Sequence, residues 1–245
     1  MNKNYAIVFP GQGTQYVGMG KYIYDSCEDA RAIFKQANEI LGYDIASMCF
    51  EGTQEDLART INTQPAIFTV SYALFIAFKK VYGYLPQYMT GHSLGELTAV
   101  ICAGGLTYEA GLTLVKRRGE LMQSIAETIA GKMTALSGGD ERSVEYECQL
   151  MCDNENFVGI ACYNSPRQVV ISGHEHVVNI VSEKMRRNGI GVIPLKNKAP
   201  FHTILMKSIA EKWYKELQAS AFQKLKIPVL SNVDGMPYVN AREII

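Results

Sequence analysis

The stretch YMTGHSLGELTAVICAGG, residues 88–105, decides the fold class. Its first three residues predict a brief strand and residues 94–102 predict a helix, which the following glycine pair ends. Between them, residues 91–95 form a G-x-S-x-G pattern. At a strand-to-helix junction this pattern is typical of a nucleophile elbow, where small residues allow a sharp turn that exposes the serine hydroxyl. The stretch indicates an α/β protein with Ser93 as a candidate nucleophile; the alternative is a helix-capping serine.

On both sides of this stretch the hydrophobic pattern predicts a larger α/β subdomain. Residues 5–10, YAIVFP, read as a buried strand that ends at Pro and two glycines. Helical spacing recurs over residues 29–41, 54–61, 65–82, 108–128 and 205–219. Residues 227–233 predict an apolar strand, and the chain then reaches Asn240, a candidate N-cap of a first helical turn. Residues 1–128 and 197–245 are therefore expected to form one subdomain.

The segment between these two parts has a different rhythm. It predicts strands over residues 132–139, 156–164, 167–173 and 191–196, and helices over residues 141–152 and 176–187. The order β-α-β-β-α-β is the signature of a ferredoxin-like unit. We therefore expect a small ferredoxin-like subdomain over residues 129–196, inserted into the larger one.

Composition excludes several classes of protein. The 245 residues carry 24 basic and 24 acidic side chains, so no net charge favours nucleic acid or an anionic membrane. Apolar residues make up 47% of the chain and charged ones 20%, which argues against disorder. The N-terminus lacks a signal-peptide pattern, and the six cysteines show no zinc spacing. A cytoplasmic protein without a bound metal is expected.

Three further groups complete a candidate site. Among four histidines, His202 lies in a proline-containing loop and is the candidate base, with a structural histidine as the alternative. Glycines flank Gln12 after the first predicted strand, so the N–H of Gln12 is able to form an oxyanion hole with that of Leu94; a bare turn is the alternative. One of the basic residues 116–118 is able to grip a carboxylate, but spacing does not choose among them.

Seven blocks of the sequence, taken together and in order, carry a family resemblance. They are FPGQGTQ (9–15), TQPAIFT (63–69), GHSLGELTAVICAGG (91–105), VKRRGELMQ (115–123), NSPRQVVISG (164–173), APFHT (199–203) and LSNVDG (230–235). They resemble the malonyl-CoA:acyl carrier protein transacylases of fatty acid synthesis and the acyltransferases of polyketide synthases, in particular those acting in trans. The resemblance implies an α/β-hydrolase-like core with an inserted ferredoxin-like subdomain.

The resemblance also implies a ping-pong transfer of malonyl from malonyl-CoA to a carrier-protein thiol. It assigns Ser93 as nucleophile, His202 as base and the amides of Gln12 and Leu94 as the oxyanion hole. Arg118 becomes the partner of the malonyl carboxylate. No cofactor is implied, and the expected partners are malonyl-CoA and an acyl carrier protein, with the enzyme a monomer.

Less specific matches extend the implied site. Met122 and Asn164 match positions near the family's active site, and Phe201, with the leucine after the nucleophile, resembles the malonyl-selective members. Because carrier proteins are acidic, a basic docking patch is expected, with candidates Lys196, Lys198, Arg186 and Arg187. A solvated surface is the alternative for each of these four.

One departure from the family pattern bears on activity. The family continues after the LSNVDG block with more helix and strand, including a carbonyl group that orients the catalytic histidine, and these are not found before Ile245. We therefore expect a fragment, a shortened chain or a short natural variant. Two other functions stay open: a thioester hydrolase on the same scaffold, and a shortened chain that only binds carrier protein.

Overall fold

The computed structural model describes residues 4–83, 85–238 and 240–244. The chain divides into two compact units, Met1–Glu120 with Trp213–Ile245 and Leu121–Lys212. The second unit contains the whole segment in which the sequence predicts a ferredoxin-like subdomain. The subdomain bounds of the sequence analysis remain a prediction.

The first unit is built on two short parallel strands and a layer of helices. The strands are β1, Ala6–Phe9, and β2, Tyr88–Gly91. The helices are α1 Lys21–Ser26, α2 Glu28–Leu41, α3 Ile45–Glu51, α4 Gln54–Ala58, α5 Thr60–Tyr82 and α6 Leu94–Cys102. Helix α7, Tyr108–Thr128, begins in this unit and ends in the second.

The predicted strand over residues 227–233 is wrong in its length. The backbone joins β2 through hydrogen bonds from Met89 N–H to Pro228 O at 2.9 Å and from Leu230 N–H to Met89 O at 2.9 Å. It then turns, because Gly235 has a φ of 72° and its N–H bonds back to Ser231 O over 3.0 Å. What remains is a single parallel bridge at Val229.

Helix α5 forms the centre of the first unit's core. The helix begins at Thr60. The sequence predicts that it begins at Pro65, but Pro65 lies inside the helix. The earlier turn forms because the N–H groups of Asn62 and Thr63 both bond to Arg59 O over 2.8 Å. Among the described helices α5 alone is long and apolar enough to cross a membrane, but 67% of its most apolar window is buried inside the structure, as in a core helix.

The second unit confirms the β-α-β-β-α-β order. Its elements are β3 Gly131–Ser137, α8 Glu141–Leu150, β4 Val158–Ser165, β5 Gln168–His174, α9 Glu175–Arg187 and β6 Gly191–Pro194. The sheet order is β4-β5-β3-β6 with antiparallel neighbours throughout, which is ferredoxin-like. A 3₁₀ turn, Ile204–Met206, leads into α10, Lys207–Ala219, which returns the chain to the first unit.

Smaller differences concern element ends. The sequence analysis does not identify α1 and α3, and its helix over residues 54–61 is divided between α4 and α5. The helical turn expected after Asn240 is a 3₁₀ turn, Ala241–Ile244, with Asn240 Nδ2 bonded to Glu243 Oε1 over 2.8 Å. All six cysteines are free thiols.

Replacing Ile171 with Ala tests the core of the second unit. Ile171 is completely buried in β5, so its loss leaves a cavity and is expected to lower the free energy of unfolding by about 2–5 kcal/mol. Ile193 in edge strand β6 is 56% exposed, and Ile193→Ala is expected to cost less than about 1 kcal/mol. Urea denaturation followed by circular dichroism measures both; equal losses would contradict this core.

Candidate active site

The candidate nucleophile occupies a strained turn between β2 and α6. Ser93 has φ 54° and ψ −101°, a conformation that is uncommon for a residue other than glycine. A Cβ at Gly91 would lie 2.2 Å from the carbonyl carbon of Gly95, and one at Gly95 would lie 2.1 Å from Phe9 O. Both outer positions of the G-x-S-x-G pattern therefore require glycine, as a nucleophile elbow does.

The side chain of Ser93 does not cap the helix that follows it. It makes no capping hydrogen bond to α6, and its Oγ accepts a hydrogen bond from Arg118 Nη2 over 3.0 Å. Leu94 is the first residue of α6, so its N–H has no acceptor within the helix. The geometry favours a reactive serine at a helix N-terminus over a capping serine.

The three consecutive basic residues of helix α7, residues 116–118, have different hydrogen-bond partners. The Arg117 guanidinium donates to Glu216 Oε1 over 2.8 Å from the surface of the first unit. Lys116 Nζ lies 3.5 Å from Leu41 O. Arg118 alone of the three bonds to Ser93. The geometry is consistent with Arg118 as the carboxylate partner, and this role remains a prediction.

Arg118 is a half-buried cation with neutral hydrogen-bond partners. Its Nη1 donates to Gln64 Oε1 over 2.9 Å and its Nη2 to the Ser93 hydroxyl. Burial lowers the pKa of Arg118 to about 10, against the opposing charge of Glu96, so the group stays protonated at neutral pH. No carboxylate of the described residues forms an ion pair with it. The site is thus suited to a ligand that brings its own carboxylate.

The loop after β1 approaches this elbow. A Cβ at Gly11 would lie 2.4 Å from His92 O, so the loop and the turn are in close contact. Gln12 Nε2 donates to Thr60 Oγ1 over 3.1 Å, and the chain at Thr60 lies against Gly119, next to Arg118. Within the described part of the chain, the buried Oε1 of Gln12 has no hydrogen-bond partner.

The candidate base lies in the second unit. His202 is exposed, has φ 59° and follows the buried Phe201. Thr203 Oγ1 donates to Pro200 O over 2.7 Å and closes the turn around it. With Ser93, His202 is one of two non-glycine residues with positive φ in the described ranges, so both candidate catalytic residues are on constrained turns.

The remaining predicted residues of the second unit are in different surroundings. Met122 is buried on α7, one turn after Arg118. Asn164 is exposed near the end of β4, where its Nδ2 donates to Gln168 Oε1 over 3.2 Å. The roles of Met122 and Asn164 in the site remain predictions.

Two of the four residues of the predicted basic docking patch are paired with a carboxylate. Lys196 and Lys198 are exposed. The two arginines at the end of α9 both bond to Glu183, Arg186 Nη1 over 2.5 Å and Arg187 Nε over 3.1 Å. Because this carboxylate offsets part of their charge, the two lysines are the stronger docking candidates.

Sequence reasoning missed three polar residues of the first unit's site. Gln64 is completely buried and bonds to Arg118. Glu96 is the charge that favours the protonated form of Arg118, and Asn232 bonds to the elbow. Gln64 and Asn232 lie in the quoted blocks TQPAIFT and LSNVDG, so a polar residue within an apolar block was the available signal.

Comparison with known proteins decides the family. Residues 6–243 match the acyl transferase domain family. The chain belongs to this family. Two malonyl CoA-acyl carrier protein transacylases of Bacillus subtilis are similar to it, one 36% identical over 98% of this chain and 60% of its own length. The other, from strain 168, is 39% identical over 94% of this chain and 73% of its own length.

A solved structure extends the similarity to the fold. It contains a type II PKS acyl-carrier protein in complex with its malonyl-transacylase, and it matches this acyl transferase domain with a TM-score of 0.93 and 34% identity. The match covers 99% of this chain and 78% of that one. The predicted family, fold class and acyltransferase class are confirmed. This chain spans between 60% and 78% of these three relatives.

Replacing Gly95 with Ala tests the close packing of the elbow. The added Cβ would meet the Phe9 carbonyl at 2.1 Å, so α6 has to shift and the free energy of unfolding is expected to fall by more than about 2 kcal/mol. Gly191→Ala is the milder comparison, because the nearest atom to its Cβ, Ser137 O, is 3.3 Å away and has to shift by only a few tenths of an ångström. Thermal or urea denaturation compares the two; an unchanged stability of Gly95→Ala would show that this contact is not tight.

Proposed function

We propose that this acyl transferase domain moves a malonyl group from malonyl-CoA to the phosphopantetheine thiol of an acyl carrier protein, through an ester on Ser93. The observation that carries the proposal is the half-buried Arg118 guanidinium, which bonds to the Ser93 hydroxyl and forms no ion pair among the described residues. A malonyl group on Ser93 would supply the missing carboxylate. The similarity to malonyl CoA-acyl carrier protein transacylases supports the same substrate.

The first half-reaction loads the serine. His202 takes the Ser93 proton as Oγ attacks the thioester carbonyl, and the N–H groups of Gln12 and Leu94 donate to the oxyanion. When the tetrahedral intermediate collapses, the C–S bond breaks and the coenzyme A sulfur takes the proton from His202. Each oxyanion donor contributes about 2.7–4 kcal/mol to lowering the barrier.

The second half-reaction unloads the serine. The phosphopantetheine thiol gives its proton to His202 and attacks the ester carbonyl, the C–O bond to Ser93 breaks, and Oγ regains the proton from His202. The free enzyme is thereby restored without a cofactor. Transfer to a thiol in place of water requires that the carrier arm reach the ester before water does, which is why docking of the carrier protein belongs to the mechanism.

Selectivity follows from desolvation. An acetyl group would leave the half-buried Arg118 guanidinium without an anionic partner, whereas malonyl offers a charge-assisted and bidentate contact. We assign Met122, Asn164 and Phe201 to the surroundings of the acyl group, as the family resemblance implies. Leu94 and Phe201 are the features that favour malonyl over branched extender units.

Further parts of the proposal concern the carrier-protein docking site, the cellular compartment, the oligomeric state and the subdomain bounds. We propose docking of the acidic carrier protein through Lys196 and Lys198, with a smaller contribution from Arg186 and Arg187. We also propose a cytoplasmic monomer that binds neither nucleic acid nor membrane. The zero net charge supports only the last part, because no global field favours an anionic partner. The subdomains proposed are residues 1–128 with 197–245, and residues 129–196.

Incubation with radiolabelled malonyl-CoA tests the proposed function. The wild-type chain is expected to retain label and to pass it to added carrier protein, and Ser93→Ala to lose both by at least about 10³-fold, since the nucleophile is gone. Ser143→Ala, on the exposed start of α8, is the control and keeps both. Release of free malonate alone indicates a hydrolase, and no label on wild type contradicts an acyltransferase activity of this chain.

Replacing Arg118 with Ala tests selectivity. The loss of its carboxylate contact is expected to lower the rate of malonyl transfer by about 100-fold and to leave acetyl transfer unchanged or faster. Arg117→Ala is a matched control, because this arginine of the same helix pairs with Glu216 and Glu120 instead. Initial rates with malonyl-CoA and acetyl-CoA give the ratio; an unchanged ratio in Arg118→Ala would rule out the role assigned to it.

A further inference from the structure

The LSNVDG block contains a side chain that reaches the nucleophile turn. Asn232 Oδ1 accepts a hydrogen bond from the Ser93 N–H over 2.8 Å, and its Nδ2 donates to Gly91 O over 2.8 Å. One planar amide thus bridges the peptide groups on either side of His92. We propose that Asn232 is a positioning residue that holds Ser93 in its reactive geometry. The proposal rests on the proposed function, in which Ser93 carries the acyl group.

The turn requires such a bridge because its backbone is strained. Ser93 has a φ of 54°, which a serine adopts only when surrounding contacts hold it there. The two glycines make the turn sterically possible, but they do not select this conformation. The Asn232 amide does, since it offers an acceptor and a donor at a fixed spacing to two groups that face it only in this turn.

Asn232 is itself fixed by a carboxylate of α6. Its backbone N–H donates to Glu96 Oε1 over 2.7 Å, and the Tyr238 hydroxyl donates to the same oxygen over 2.7 Å. Burial and the Glu96 carboxylate raise the pKa of Tyr238, so the phenol remains a donor at neutral pH. The chain before Asn232 is anchored to β2, where Thr90 Oγ1 donates to Leu230 O over 3.2 Å.

The same carboxylate, that of Glu96, also acts on the Arg118 cation. Glu96 is the charge that favours the protonated form of Arg118, and Arg118 bonds to the Ser93 hydroxyl. The backbone of Ser93 is therefore held through Asn232, and its side chain through Arg118. The contacts of Asn232 hold the backbone of the turn before any substrate binds, which is the kind of preorganisation that catalysis needs.

Asn232 contributes little else to the fold. The residue is exposed, so its side chain fills no core space, and both hydrogen bonds of its amide go to the turn. Its removal is therefore expected to act on acylation of Ser93 more than on stability. The malonyl carboxylate contact at Arg118 is untouched, so binding of malonyl-CoA is expected to change little.

Single-turnover acylation by malonyl-CoA tests the proposal. Asn232→Ala is expected to lower the acylation rate about 10- to 100-fold, the scale of a small misplacement of a reacting group, with the KM for malonyl-CoA within about twofold of wild type. Asn232→Asp keeps the acceptor for the Ser93 N–H but turns a carboxylate oxygen toward Gly91 O, so a rate no higher than that of Asn232→Ala is expected. If Asn232→Ala does not fold, the acylation rate of Asn232→Asp is compared with that of wild type instead.

Asn38→Ala is the matched control. The Asn38 amide also makes two hydrogen bonds, accepting from the Ile45 N–H over 2.9 Å and donating to Asp44 Oδ1 over 2.9 Å, at the junction of α2 and α3. This variant is expected to lose stability and to keep the wild-type acylation rate. An equal loss of rate in Asn38→Ala and Asn232→Ala would overturn the positioning role.

Amide hydrogen exchange separates this proposal from the function on which it rests. The peptide containing Ser93 is expected to exchange faster in Asn232→Ala than in wild type, and unchanged in Asn38→Ala, whether or not Ser93 accepts a malonyl group. If Ser93→Ala retains the label, the proposed function fails while exchange still reports the bridge. Wild-type exchange together with a wild-type acylation rate in Asn232→Ala would overturn the inference.

Discussion

The first unit's site depends on the turn at Ser93, where a residue with a side chain adopts a left-handed φ of 54° between β2 and α6. The glycines on either side have no room for a Cβ. Helix α6 begins directly at the turn, with Leu94 as its first residue. Arg118 is brought to the same hydroxyl by α7. A strained backbone and a half-buried cation thus meet at Ser93.

Much of this arrangement was predictable because steric requirements leave a local pattern. A nucleophile elbow needs small residues at fixed positions, and residues 91–95 supply them between a strand and a helix. The ferredoxin-like order of the second unit was predictable for a similar reason, since alternating and helical periodicities are local. The inward orientation of Arg118 was not predictable from spacing, because three consecutive basic residues point in three directions around a helix.

The contacts that sequence reasoning missed join residues far apart in the chain. Asn232 bonds to Ser93 across 139 positions, and Gln64 bonds to Arg118 across 54. Neither partner changes the local hydrophobic pattern of the other. The short strand around Val229 has the same origin: its apolar residues predict an extended strand, whereas the Gly235 turn that ends it after Leu230 is a local feature that hydropathy does not register.

We propose that Ser93 carries a malonyl group whose carboxylate binds the Arg118 guanidinium. A crystal structure of the wild-type chain after exposure to malonyl-CoA tests it most directly. We expect an ester on Ser93 Oγ, with a carboxylate oxygen within about 3.2 Å of the Arg118 guanidinium. An acyl group on another residue, or an ester on Ser93 whose carboxylate points into solvent away from Arg118, would contradict it.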